Sequence, residues 1–203
     1  MFIDKKKNTL SENEILLDLW QQTKTGDRTA FCFLADKLYR TLFNYGTCFT
    51  QDREYLKDAI QELLLHIWEK RQSINIQFVT IYFIRALRNQ LLQEYRRRKN
   101  PFLNIDDYDE ITDHQTIETA IEDIETSSAH ERVVKSAIHQ LPKRQQEVIF
   151  LKFYKEMNNE QIADLMQVNK QSVANLLFKA ITSLKSQIHW IGQWLFLIYF
   201  ATN

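Results

Sequence analysis

Glycine and proline are scarce in this chain: its 203 residues include three glycines and two prolines. Both residue types interrupt helices, and glycine supplies many of the tight turns that connect strands. The scarcity of both residue types favours long helices joined by few turns. No segment alternates apolar and polar residues as a half-buried strand does. A hydrophobic content of 44% is enough for real cores at this length. We therefore predict an all-α fold.

The formal net charge of zero conceals three blocks. Residues 1–99 carry 17 Lys and Arg against 12 Asp and Glu, residues 100–131 carry none against 10, and residues 132–203 carry 9 against 4. Two basic blocks around an acidic strip predict two polyanion-binding modules on a solvated linker. The alternative is two ordinary helical domains that differ in charge, and charge alone does not decide between them.

Composition also excludes several kinds of site. A glycine-rich phosphate loop is excluded because the glycines are far apart. Cys32 and Cys48 lie in apolar helical patterns without ligand spacing, so we predict that both are reduced and buried. We expect no metal, no cofactor and no catalytic residues. The N-terminal sequence MFIDKKKNTL lacks a secretory apolar core, which predicts a cytoplasmic protein.

Helix signals divide the first block into four predicted helices. Ser11–Glu14 has the pattern of a capping box, and Asp27 and Asp52 are candidate N-caps of the next two helices. A fourth helix is predicted over Gln77–Lys99, where Pro101 disfavours its continuation.

The second block is predicted to be helical from about Ala129, with a break at Leu141-Pro142 and a further helix over Gln145–Tyr154. Leu103–Ser128 reads as an acidic linker. The apolar tail, 188–203, is too short to span a bilayer as a helix, and we expect the last helix to continue into it. Three roles stay open for the tail: packing against the chain itself, docking to a protein, and attachment to a membrane surface.

The stretch EQIADLMQVNKQSVANLLFKA, Glu160–Ala180, fits two short helices joined by a tight turn. Asn169 is a suitable N-cap for the second helix. Gln167 stands where a left-handed turn residue is expected, at a cost of roughly 1 kcal/mol. Apolar side chains fill the positions that a helix-turn-helix requires: Ile162, Ala163, Met166, Val168, Val173 and Leu176. A generic helical hairpin is the alternative.

Aromatic, cationic and amide residues are interleaved on the predicted fourth helix. Aromatic rings stack on unpaired bases, and Arg or Asn reads base edges. The run of cations at Arg96–Lys99 suits phosphates, but it would equally complement the helix dipole. Helical geometry also places some of these aromatics in the core.

Asp58, Gln61 and Glu62 occupy adjacent surface positions of the third predicted helix. No histidine or second carboxylate pair accompanies them, so a protein-docking face or a solvated face is favoured over catalysis.

In this order, the three motifs resemble the sigma factors of bacterial RNA polymerase, specifically the extracytoplasmic-function (ECF) group of the sigma-70 family. The likeness covers Gly26–Lys99 and about His139–Lys185. It implies sigma region two at 1–100, an acidic linker at 101–130, region four with its helix-turn-helix at 131–187, and the apolar tail at 188–203.

The resemblance also implies partners. Asp58, Gln61 and Glu62 match a segment that docks on the clamp helices of the RNA polymerase core. The fourth helix matches the segment that melts and reads the downstream promoter element, and Glu160–Ala180 matches the reader of the upstream (minus-thirty-five) element. An anti-sigma factor is a further implied partner. The predicted contacts with promoter DNA are Tyr82, Arg85, Arg88, Asn89, Tyr95, Arg96, Arg97, Arg98 and Lys99 in region two, and Lys143, Arg144, Lys170, Gln171, Ser172, Asn175 and Lys179 in region four.

The chain departs from the family pattern at three positions. Val79 stands where an aromatic is common, and Ala174 and Leu176 stand where the family often has polar or basic residues. Gln171 and Asn175 remain as candidates to read adenine edges. A stand-alone helix-turn-helix regulator and a helical adaptor are the rival functions.

Overall fold

The computed structural model describes the backbone of residues 2–99 and 129–201, and the side chains of residues 12–97 and 134–187. Regular structure within these ranges is entirely helical, which confirms the all-α prediction. The chain divides into two compact units, Met1–Leu103 and Asn104–Asn203. The predicted linker, 101–130, lies outside the described residues except for its last two, which begin a helix.

Unit one contains α1 (Phe2–Lys24), α2 (Arg28–Gly46), α3 (Arg53–Lys70) and α4 (Val79–Lys99). The predicted N-caps of α2 and α3 are confirmed. Asp27 accepts hydrogen bonds from the backbone N–H groups of Thr29 and Ala30, and Asp52 accepts one from Tyr55 at 2.9 Å.

The start of α1 was predicted wrongly. The helix begins at Phe2, so Ser11–Glu14 lies inside it and does not mark a helix start. No glycine or proline occurs before Gly26, so nothing in the backbone forces a boundary at Ser11. Gly26 itself has a φ of +100°, and this left-handed conformation separates α1 from α2 at little steric cost.

The core of unit one is formed by apolar side chains from all four helices. Trp20 and Phe83 are both fully buried, and their rings meet edge to face at 6.4 Å, a favoured arrangement for aromatic pairs. Gly46 of α2 packs against the Leu56 side chain of α3. This contact brings the two helices together. Cys48 is buried as predicted, but Cys32 is exposed, because it lies on the face of α2 opposite Leu34 and Leu38.

Asn13 ties α1 to the start of α4. Its Nδ2 donates to the carbonyl oxygen of Gln77 at 3.1 Å, and its Oδ1 accepts from the N–H of Val79 at 3.2 Å. One amide side chain therefore satisfies a carbonyl before the helix and one of the four N–H groups that a helix start leaves unpaired.

Unit two contains α5 (Ala129–His139), α6 (Lys143–Ile149), α7 (Asn159–Met166) and α8 (Lys170–Ala201). Pro142 precedes α6, as the predicted break requires. The Gln146 side chain bridges this break by donating to the carbonyl oxygens of His139 and Leu141. Leu141, Ile149 and Ala180 form a buried cluster, against which Ile138, Leu177 and Leu184 pack.

A π-helical segment, Phe150–Tyr154, follows α6 directly. Here the N–H of Lys155 bonds to the carbonyl oxygen of Phe150, five residues back. The Phe150 and Tyr154 rings stack with centroids 5.4 Å apart. Leu151 is fully buried, whereas the rings of Phe153 and Tyr154 are more than half exposed.

The last helix, α8, is 32 residues long and continues into the tail, as expected. Side chains from residue 188 onward lie outside the described residues, so the three roles considered for the tail remain untested. Across the described part of the chain, no helix has the length and apolar character needed to cross a membrane.

Candidate docking and nucleic-acid surfaces

Asp58, Gln61 and Glu62 lie together on the exposed face of α3. The Gln90 amide of α4 donates to Glu62 Oε2 at 3.0 Å and to the carbonyl oxygen of Ala59 at 3.1 Å. This amide fixes the carboxylate of Glu62 while leaving it accessible to solvent.

The same face of α3 carries Leu65, whose side chain is 57% exposed. Leu65 follows Asp58 by seven residues, two helical turns, and sequence reasoning missed it. The seven-residue spacing from Asp58 was the signal that could have placed Leu65 on this face. The α3 face therefore combines two carboxylates and an amide with an exposed apolar side chain, which is a composition suited to a protein partner.

The outward face of α4 carries Tyr82, Arg85, Asn89 and Arg96. Asn89 is exposed, and the other three are half-buried. Burial raises the pKa of the Tyr82 phenol, so Tyr82 is a neutral hydrogen-bonding aromatic at physiological pH. The sequence placed these residues on one helix, and the structure places them on one side of it.

Arg88, a predicted DNA contact, does not lie on the surface of unit one. Its side chain is 1% exposed, because Arg88 follows the buried Ile84 by one helical turn and lies on the inner side of α4. Arg88 is part of the core of unit one.

The other predicted residues near the end of α4 differ in position. Tyr95 is half-buried, and Arg97 is exposed and pairs with Glu94 at 3.1 Å. The side chains of Arg98 and Lys99 lie outside the described residues.

The helix-turn-helix of unit two has well-formed caps. Asn158 and Gln161 form a capping box at the start of α7. Gln167 adopts the predicted left-handed conformation, with φ 57° and ψ 46°. Asn169 Oδ1 accepts from the N–H of Ser172 at 2.7 Å, which confirms Asn169 as the N-cap of α8.

The predicted apolar positions hold these two helices together. Ile162, Met166 and Val173 are fully buried, and Ala163 is 7% exposed. Val168 in the turn and Leu176 on α8 are half-buried. The side of α8 opposite Val173 therefore faces outward.

Gln171, Asn175 and Lys179 are exposed on this outward side of α8, and Ser172 is half-buried. The Gln171 amide donates to Asn175 Oδ1 at 3.3 Å, so the two candidate reading residues are oriented by each other. Phe178 lies on the same side and is 73% exposed. Sequence reasoning missed it, although it follows Gln171 by seven residues.

Lys170 forms an ion pair with Glu160 across the turn. The hydrogen bond and positive charge of Lys170 lower the pKa of the Glu160 carboxyl group. Lys170 can bind a phosphate only after its ion pair with the Glu160 carboxylate breaks.

The two cations predicted at the start of α6 differ in burial. Lys143 is half-buried, whereas Arg144 is 7% exposed. Arg144 is therefore corrected from a surface contact to an interior residue, because it lies on the side of α6 that faces the unit. Lys152 on the following π-helical segment donates to Asn159 Oδ1 at 3.0 Å.

Comparison with known proteins adds independent findings. Residues 131–184 match the family model described as "Sigma-70, region 4". The chain is 21% identical to the ECF RNA polymerase sigma factor SigM of Bacillus subtilis over 159 residues, which is 74% of this chain and 93% of that protein. It is 23% identical to the ECF RNA polymerase sigma-E factor of Haemophilus influenzae over 181 residues, 84% of this chain and 93% of that protein.

Among solved structures, the fold is similar to the sigma factor RpoE of Bartonella quintana, crystallised with the anti-sigma factor NepR. The TM-score is 0.59 at 18% sequence identity, over 75% of this chain and 92% of that one.

Proposed function

We propose how the surfaces of this chain are used, from the premise that it belongs to the extracytoplasmic-function group of the sigma-70 family and acts in transcription initiation. The proposal concerns which side chains meet the polymerase core and which meet promoter DNA. The observation that carries it is the arrangement of unit one, where an acidic and amide face on α3 is exposed and an aromatic and cationic face on α4 is partly exposed.

The α3 face binds the core polymerase. Asp58, Gln61 and Glu62 supply charge and hydrogen bonds, and Leu65 supplies apolar area at the same face. An exposed leucine beside oriented polar groups is typical of the centre of a protein interface, where apolar contact gives affinity and polar pairs give specificity.

The α4 face contacts the melted strand of the downstream element. Tyr82 stacks on a base, Asn89 bonds to a base edge, and Arg85 and Arg96 approach phosphates. Arg97 and the two cations that follow it, Arg98 and Lys99, extend the electrostatic contact, while Tyr95 packs at its edge.

The outward side of α8 reads the upstream duplex. Gln171 and Asn175 face the major groove, and both side chains have the donor and acceptor geometry that pairs with adenine. Ser172, Lys170 and Lys179 flank them as phosphate contacts, with Lys143 at the start of α6.

The chain contributes recognition and no chemistry of its own, and it works in the cytoplasm with the polymerase. A regulatory anti-sigma partner is part of the proposal, supported by the anti-sigma factor bound to the RpoE structure. The buried Arg88 and Arg144 have structural roles and are not included among the DNA contacts.

Run-off transcription and core-binding assays test this assignment. Purified chain is combined with core polymerase and fragments of the parent genome, and start sites are mapped. Asp58→Asn should weaken binding to the core, whereas Asp36→Asn, which removes an equal charge from the exposed side of α2, should not.

The rival functions give different results. A stand-alone regulator binds duplex without affinity for the core, and an adaptor binds no promoter DNA. Equal core affinity of both variants would refute the α3 assignment. Absence of core-dependent initiation from every fragment would refute the function.

A further inference from the structure

Phe78 is an exposed aromatic residue immediately before α4. Its ring is 48% exposed, and its carbonyl oxygen accepts from the N–H of Tyr82 at 3.0 Å. Phe78 thus lies one helical turn before Tyr82. Phe78 was missed from the sequence, although it lies inside the predicted fourth helix, because an apolar side chain is expected to be buried.

The backbone on both sides of Phe78 is held by one side chain. Asn13 binds the carbonyl oxygen of Gln77 and the N–H of Val79. Val79 is fully buried, so the residue after Phe78 is anchored in the core. These contacts fix the backbone that carries the exposed ring before any ligand arrives, which lowers the entropy cost of binding.

Phe78 also continues the outward face of α4. Phe78, Tyr82, Arg85 and Asn89 follow one another at intervals of four, three and four residues, the spacing of neighbours along one side of a helix. Two aromatic rings at one end are therefore followed by a cation and an amide.

The chemistry of this row selects its occupant. An apolar protein partner would leave the exposed Asn89 amide without a matching group. A single DNA strand matches every position, because its bases stack on aromatic rings while its phosphates and base edges meet Arg and Asn. A closed duplex is excluded because its bases are already stacked on one another.

We propose that Phe78 is a second base-stacking residue, which takes an unpaired base of single-stranded DNA next to the base on Tyr82, and that Asn13 is its positioning residue. This rests on the proposed function, in which α4 contacts the melted strand.

Fluorescence anisotropy with the full chain tests the proposal. The probes are a labelled 12-nucleotide single strand of random sequence, the same length of abasic strand, and a random 24-base-pair duplex. Phe78→Leu should weaken binding to the single strand about 5- to 100-fold and leave binding to the abasic strand and the duplex unchanged. Phe78→Tyr should bind like the wild type.

Phe33→Leu is the matched control, since Phe33 is 60% exposed on α2 and is not part of the row. Asn13→Ala should weaken binding to the base-containing strand but not to the abasic strand, a difference that a general loss of structure would not produce. Circular dichroism of each variant verifies folding.

Equal affinity of Phe78→Leu and wild type for the random strand would overturn the proposal, as would no preference of the wild type for bases over the abasic strand. Equal losses for both strands would also overturn it, because they would indicate a phosphate or folding effect. Core binding by the Asp58 variants is measured separately, so failure of the proposed function is distinguishable from failure of the stacking role.

Discussion

Gly46→Ala is the substitution whose effect follows most directly from the structure. Gly46 is the last residue of α2 and is buried. A Cβ at this position would lie 3.0 Å from Leu56 Cδ2 and 3.1 Å from Leu56 Cγ, and closer still to Cδ1. Leu56 is 1% exposed, so its side chain has no route into solvent, and either its rotamer or the packing of the two helices must change.

The expected cost combines two opposing terms. Overpacking a filled core costs about 1–3 kcal/mol. Replacing glycine by alanine recovers up to about 1 kcal/mol of helix propensity, and less at a terminal residue. The net loss is about 1–2 kcal/mol, which lowers the melting temperature of a unit of this size by about 5–15 °C.

Leu56→Ala provides the internal control. Alone it should cost about 2–5 kcal/mol, because it leaves a cavity. In the double variant the new methyl group at position 46 occupies part of that cavity, so the combined loss should be smaller than the sum by roughly 1 kcal/mol.

Urea denaturation of the full chain, followed by circular dichroism, gives the three free energies of unfolding, and calorimetry gives the melting temperatures. Unchanged stability of Gly46→Ala would refute the reasoning. Simple additivity in the double variant would also refute it, because the two sites would then not share a packed space.

Three further predictions concern charge and backbone. Glu160→Gln should free Lys170 for phosphate and steepen the dependence of duplex binding on salt by about one counterion, measured by anisotropy across salt concentrations; no change, or the same change in a Lys170→Gln background, would contradict this. Gln167→Gly should raise the free energy of unfolding by about 0.5–1 kcal/mol, since glycine relieves the left-handed strain; urea denaturation measures it, and a loss would contradict it. Arg88→Met should leave the salt dependence of single-strand binding unchanged, whereas Arg97→Gln should reduce it by about one counterion; equal effects would place Arg88 at the surface.

The sequence predicted the helices well wherever a boundary has a local chemical cause. Asp27, Asp52 and Asn169 cap helices because a short polar side chain reaches the free N–H groups there. Ser11 has the same chemistry, yet α1 runs through it. A capping side chain is used only where a helix begins. Residues 2–10 contain no glycine or proline that would end the helix before Ser11, so α1 does not begin there.

The candidate surfaces were harder to predict, because exposure depends on packing between helices. Arg88 and Asn89 are neighbours in sequence, but one is in the core and the other is in solvent. Polarity favoured both as surface residues, and only the position of α4 against the other helices separates them. Phe78, Leu65 and Phe178 were missed for the opposite reason, since an apolar side chain is expected to be buried.

The π-helical segment Phe150–Tyr154 affects how related chains should be aligned. Its wider turn holds one more residue than an α-helical turn would. A related chain that lacks this residue would end the helix on a regular α-helical turn, and the side chains after the deletion would be rotated by about 100° about the helix axis. A one-residue gap here therefore marks a change in which side chains face outward, at Phe153 and Tyr154 above all, and should not be treated as a change in loop length.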